Sequence, residues 1–220
     1  MLKNIHAAPT LIYPDSDGEP MAETEPHRDL MMDFILMLKR HFKEHTDVHV
    51  SGNLLIYYEE GNTKKSVSPD VFVAFGVSKK KRRTYRTWEE GATPDFVLEA
   101  ASPSTYRNDM TTKKDLYATV LGVREYYIYD PYHEVQPHFQ GYRLVDGAYE
   151  AMELVEDRFV SEVLGLEIGE HGEMLGLYDP SRSEWLLPPE AHAEREAEAR
   201  RAAETELAKA LELIEQLKKN

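Results

Sequence analysis

The sequence predicts a mixed α/β domain followed by a long C-terminal helix. Three observations lead there. Helix-period apolar patterns at about 27–44 and 108–121 stand among strand patterns that run on to residue 187. A strand pattern at 94–101, a helix pattern at about 108–121 and a strand pattern at 125–130 follow one another, which predicts a crossover unit with right-handed connection. From Glu190 to Lys218 the chain is rich in Ala, Glu, Arg and Leu and has no glycine or proline.

The totals bound the problem. At 220 residues the chain can bury a sizeable core, and it divides into one core domain, 1–187, and an appendage, 188–220. There is no cysteine, which excludes disulfides, thiolate zinc sites and a cysteine nucleophile. No apolar run approaches the roughly 20 residues needed to cross a bilayer. Met1-Leu2-Lys3-Asn4-Ile5-His6 lacks a signal-peptide core, so a cytoplasmic protein with no membrane partner is expected. A formal charge of -14 opposes bulk attraction to nucleic acid. A local basic surface would have to supply it.

Taken in order, residues 1–26 read as irregular, punctuated by Pro9, Pro14, Pro20 and Pro26. Leu30, Phe34, Leu38 and Phe42, widened by Met31, Ile35 and Leu36, predict a helix from about His27 to Glu44. Asp47–Glu59 reads as a strand interrupted at Ser51-Gly52-Asn53, with a hairpin turn at Glu60-Gly61-Asn62. Val67–Phe75 is the next strand. The helix near 108–121 is capped by Asn108 or Asp109 and stopped by Gly122. Glu125–Asp130 is a tyrosine-rich strand. Val135–Val145 and Ala148–Val155 form a hairpin about Asp146-Gly147. Short strands and turns fill 163–187. The C-terminal helix starts just after Pro188-Pro189, and Leu207, Ala210, Ile214 and Leu217 repeat at 3–4 spacing. That helix either packs on its own domain or pairs with a second copy.

Chemistry concentrates between Val67 and Pro131. Alternation along a strand puts Asp95, Val97, Glu99 and Ala101 on one face, and Phe96, Leu98 and Ala100 on the other. Glu99 is then a carboxylate near a strand end, either a strand-end residue or part of a cleft. On the following helix Met110, Leu116, Tyr117, Val120 and Leu121 define an apolar stripe. Lys113 lies roughly 25° from its centre and Lys114 roughly 75° away. An inward lysine either pairs with acids, Glu99 and Asp70 being the candidates, or snorkels from the edge of the stripe. Two carboxylates can hold Mg²⁺ or Mn²⁺. A nearby lysine then stabilises charge developing on a phosphoryl group.

Four segments carry a resemblance. They are Ser68-Pro69-Asp70-Val71-Phe72-Val73, Pro94-Asp95-Phe96-Val97-Leu98-Glu99-Ala100-Ala101-Ser102-Pro103-Ser104-Thr105, Asp109-Met110-Thr111-Thr112-Lys113-Lys114-Asp115-Leu116-Tyr117-Ala118 and Gly122-Val123-Arg124-Glu125-Tyr126-Tyr127-Ile128-Tyr129-Asp130-Pro131. In order and spacing, over about residues 20–187, they resemble the Uma-two family of restriction endonucleases, within the PD-(D/E)xK nuclease superfamily. The resemblance implies a restriction-endonuclease-like fold, a mixed central sheet flanked by helices, and Mg²⁺-dependent hydrolysis of DNA. Asp70 then matches the PD aspartate and Glu99 the acidic position of (D/E)xK. The superfamily lysine would fall at Ala101, and in sequences of this family it comes from the following helix, where Lys113 stands. His27 matches a recurrent histidine, and Glu23 is a further candidate acid.

Other signals stand beside these. Lys79, Lys80, Lys81, Arg82, Arg83 and Arg86 put six cations in eight residues, near Tyr85 and Trp88. Such a loop either neutralises DNA phosphates or is simply solvated. His41 and His45 stand at i, i+4 without the acid of a metalloprotease helix. No phosphate-binding glycine loop and no serine-hydrolase elbow occur. Two function classes remain: a metal-dependent endonuclease, expected as a homodimer, and a nuclease-fold DNA-binding or assembly protein without catalysis.

Overall fold

The computed structural model describes residues 11–16 and 24–219. Glu23, Asp17, Gly18 and the first ten residues lie outside them. Three layers stack about a six-stranded sheet of order β1-β4-β6-β7-β8-β9. Its strands are β1 (Val48–Ser51), β4 (Val71–Phe75), β6 (Phe96–Ala100), β7 (Glu125–Tyr129), β8 (Phe139–Val145) and β9 (Ala148–Ala151). Only β6 and β7 run parallel, as the crossover requires; every other pair is antiparallel. All five residues of β6 and of β7 are buried. Both faces of the sheet are therefore covered, the condition under which strands lose their polar alternation.

Helix α1 (Glu25–His41) covers one face, with Leu30, Met31, Phe34, Met37 and Leu38 buried. Beside it lies a four-stranded sheet: β10 (Arg158–Ser161), β11 (Leu166–His171), β12 (Met174–Asp179) and β13 (Glu184–Trp185). Phe34 and Leu38 pack with Val71, Val73, Phe96, Leu98, Tyr127, Ile168 and Leu177 in one core. Leu36, expected in the apolar stripe, is exposed, because two residues at 100° each place it opposite Phe34.

The other face is covered by the helix over 106–121 and by a small sheet of β2 (Ile56–Tyr57), β3 (Ser66–Val67) and β5 (Tyr85–Arg86). Tyr117 and Leu121 pack there with Phe72, Ala74, Val97, Tyr126, Ile128, Ile56 and Tyr85. The expected strand over Val67–Phe75 is broken into β3 and β4. Ser68, Pro69 and Asp70 separate them, and the proline can donate no ladder hydrogen bond. A four-residue helix, α2 (Thr87–Glu90), closes the basic loop and ends on Gly91 in left-handed conformation.

The helix over 106–121 is not a uniform α-helix. It contains two π turns, Asp109–Lys113 and Tyr117–Leu121. Wider turns bring positions four apart into line. Asp109, Lys113, Tyr117 and Leu121 therefore face the sheet together, while Val120, placed in the stripe by a regular wheel, is exposed. Gly122 ends this helix with φ +62°, as expected. Residues Pro189–Lys219 form one helix of 31 residues, exposed along its distal half. No helix among the described residues is long and apolar enough to cross a membrane.

Candidate active site

Asp70 stands where the chain leaves Pro69 and enters β4, next to the end of β6. The two strands are laced by each other's acids. The Ala100 amide donates to Asp70 Oδ2 at 2.8 Å, and the Asp70 amide lies 3.4 Å from Glu99 Oε2. From the opposite layer, the first turn of α1 sets His27 Nε2 3.5 Å from Asp70 Oδ2. The bend after β1 must pass close by. A Cβ on Gly52 would stand 1.9 Å from the Asp70 carbonyl oxygen, so this position demands glycine.

Glu99 is 0% exposed and points toward the helix over 106–121. Tyr117 donates its hydroxyl to Oε1 at 2.6 Å. Lys113 Nζ approaches Oε2 at 3.0 Å and Asp109 Oδ1 at 2.9 Å, with 22% of its side chain still exposed. Lys114 turns away, its ammonium 3.4 Å from the centre of the Tyr142 ring. The structure thus brings together Asp70, Glu99, Lys113 and His27.

Burial shapes the electrostatics. For Asp70, burial works against the charged form. The hydrogen bond from His27, the charges of Lys113 and His27 and the Ala100 amide outweigh it, holding the carboxyl below its usual range. For Glu99, complete burial dominates over Lys113. With Asp70 and Asp109 adding repulsion and Tyr117 opposing it, the carboxyl is pushed up to about 8. Burial would also lower Lys113, but Glu99, Asp109 and Asp70 surround it and raise it instead. Three carboxyls therefore share one ammonium. Fully ionised, they leave an excess of negative charge that a divalent cation would neutralise. Carboxylate oxygens are the donors a hard cation prefers. On donor type and on charge, the residues present fit such an ion.

Two members of the cluster escape a reading of the sequence. Asp109, expected as a helix cap, is 1% exposed and holds Lys113. Tyr117, expected only as core, anchors Glu99. The i, i+4 spacing of Asp109 and Lys113 is the available signal for the first.

The six cations of the basic loop divide. Lys79 Nζ donates to the carbonyls of Phe42 and Lys43, closing the end of α1. Arg82, 4% exposed in its side chain, forms a fork with Glu90 at 2.8 and 2.6 Å and also meets His49 Nδ1 at 3.2 Å. Lys80 pairs with Glu90, Arg83 with Asp15, and Arg86 with Glu89. Lys81 is exposed. Lys79–Arg82, with Lys39, Lys43 and His49, line a cavity of about 480 Å³ whose lining includes no carboxylate. His41 and His45 flank the Phe42 ring.

No curated protein matches the chain. Among solved structures, a putative nuclease belonging to DUF820 from Anabaena variabilis is similar at 14% identity with TM-score 0.48, over 66% of this chain and 76% of that one. The model of the family Uma2, described as "Putative restriction endonuclease", matches residues 5–170, well over half of the sequence. The chain belongs to the Uma2 family of putative restriction endonucleases.

Proposed function

We propose that the protein is a Mg²⁺-dependent endodeoxyribonuclease, Mn²⁺ serving in its place, with Asp70, Glu99 and Lys113 as its catalytic residues. One observation carries the reading. A lysine from the crossover helix lies 3.0 Å from Glu99 Oε2, beside Asp70, where two adjacent strands end. Asp70 and Glu99 would hold the metal, which when bound lowers the pKa of water and neutralises phosphate charge. Lys113 supplies a fixed positive charge where negative charge builds on the phosphoryl oxygens. Asp109 keeps that ammonium protonated and aimed. Tyr117 fixes the Glu99 carboxylate, and His27 fixes Asp70. The exposed cations of the basic loop meet flanking phosphates. Duplex cleavage by two such sites fits a homodimer joined through the C-terminal helices.

The test is cleavage of supercoiled plasmid in Mg²⁺ or Mn²⁺, wild type beside Asp70→Ala. The wild type should nick or linearise the DNA, and Asp70→Ala should be slower by at least about 100-fold, as expected for loss of a group stabilising transition-state charge. Equal rates, or a wild type that binds DNA and leaves it intact, would overturn the nuclease reading in favour of a non-catalytic DNA-binding role.

A further inference from the structure

The segment after β7 carries His133 and His138, and β11 carries Glu170. The two imidazole rings stack with centroids 4.0 Å apart. His133 Nε2 is 2.9 Å and His138 Nε2 3.4 Å from the same atom, Glu170 Oε1. Among the described residues, these three form the one group of three histidine or acid side chains whose ligand atoms all lie within 4.8 Å of one another.

We propose that His133, His138 and Glu170 form a second metal site, for a transition metal of the Zn²⁺, Co²⁺ or Ni²⁺ class. Two ligands at zinc-bond length on a tetrahedral ion stand about 3.3 Å apart. The separations of 2.9 and 3.4 Å from Glu170 Oε1 bracket that value, and binding one ion requires the two stacked rings, now 20° from parallel, to swing so that both nitrogen lone pairs meet it. Two imidazoles and one carboxylate select borderline metals over Mg²⁺, unlike the carboxylates around Lys113. Three protein ligands also match the count of zinc sites that keep an open position.

The surroundings serve such a site. The Tyr129 hydroxyl donates to Glu170 Oε1 at 3.0 Å and orients the carboxylate, as outer partners of metal ligands do. His133 holds a left-handed backbone, φ +57°, which a non-glycine residue adopts at a cost. Buried Asp130 fixes that bend by accepting the Tyr132 amide at 2.9 Å and the Val135 amide at 2.8 Å. His133 and Glu170 open on a cavity of about 650 Å³ that Asp29 and Glu173 also line, an acidic approach for a cation.

The test is titration of tag-free, full-length protein with Co²⁺, followed by visible absorption and by calorimetry. Wild type should bind one Co²⁺ per chain at this site. His138→Gln and Glu170→Gln should each weaken binding at least tenfold, with circular dichroism confirming the fold. Asp70→Ala and His45→Ala should leave it intact, which separates this site from the proposed nuclease centre and from the α1 histidines. A variant-free readout is perturbation of the His133 and His138 ring resonances by Zn²⁺ in wild-type protein. Unshifted rings, unchanged affinity in His138→Gln, or loss of the ion with Asp70→Ala would overturn the proposal.

Discussion

At the scale of single residues, neighbouring lysines have opposite fates. Lys113 spends its charge on Glu99 and Asp109, while Lys114 rests on the Tyr142 ring. If Lys113 stabilises the transition state, Lys113→Ala should slow single-turnover cleavage by roughly 100- to 1,000-fold while the fold survives. Lys114→Ala should cut at near wild-type rate. The reverse pattern would assign the chemistry to Lys114; two active variants would remove this helix from catalysis. His49 offers a separate test. An arginine can only donate, so His49 Nδ1 accepts from Arg82 and the ring is neutral. Burial, then the charge of Arg82, push its pKa down to about 4. Between about 6.5 and 4 the unfolded chain therefore binds more protons than the folded one, and stability falls as pH falls through that window. The loss approaches roughly 3 kcal/mol at its acid end. Denaturant unfolding at pH 7 and pH 4 should show a smaller difference for His49→Asn than for wild type; parallel behaviour would mean the ring is not held neutral.

At the scale of elements, the crossover helix and the basic loop each do more than their patterns suggest. The π turns put Asp109, Lys113 and Tyr117 on one line over Glu99. The loop is tied down by Arg82 and by the exposed Lys79; of its other cations Lys80, Lys81 and Arg83 are exposed. Replacing those three by Ser should reduce the slope of log DNA affinity against log salt by roughly 0.7–0.9 for each phosphate no longer neutralised. An unaltered slope would mean that they meet no phosphate. Arg82→Ser should act differently. It removes the two-bond fork on Glu90 and leaves Lys80 as the remaining cation there; the Arg82 hydrogen bonds, with help from Lys80, hold that carboxyl down at about 2, and their loss should lower stability by roughly 1–3 kcal/mol. Thermal unfolding distinguishes the two effects.

At the scale of the molecule, the C-terminal helix begins beside α1 and is exposed along its distal half. Leu207, Leu211, Ile214 and Leu217 are all more than 45% exposed on it. Burying such a stripe against a second copy is worth about 25 cal/mol per Å² of apolar surface, which favours a parallel or antiparallel pair. Light scattering should give a dimer for the full chain and a monomer for a chain ending at Pro188. Equal masses for both would leave the helix solvated and any dimer elsewhere.

Short-range signals are legible in the sequence because their causes are local. Pro94 and the strand alternation after it put Glu99 on the covered face with Val97. Gly122 stops the crossover helix, and the 190–218 composition announces the long helix. Lys113 can be singled out because charge on an apolar stripe stands out at any helical phase near 100°. The remainder depends on contacts between segments far apart in the chain. Asp109 and Lys113 neighbour each other on any helix, but the π turns carry both onto the face over Glu99, and a wheel that assumes uniform turns misplaces Val120. The cations of the basic loop look equivalent until folding sets Glu90, Asp15 and the end of α1 beside some of them. His133, His138 and Glu170 meet across more than thirty residues of chain. Composition and periodicity decide which faces are buried; which polar groups share a buried space is decided by the packing of the layers, where an unpaired charge costs most.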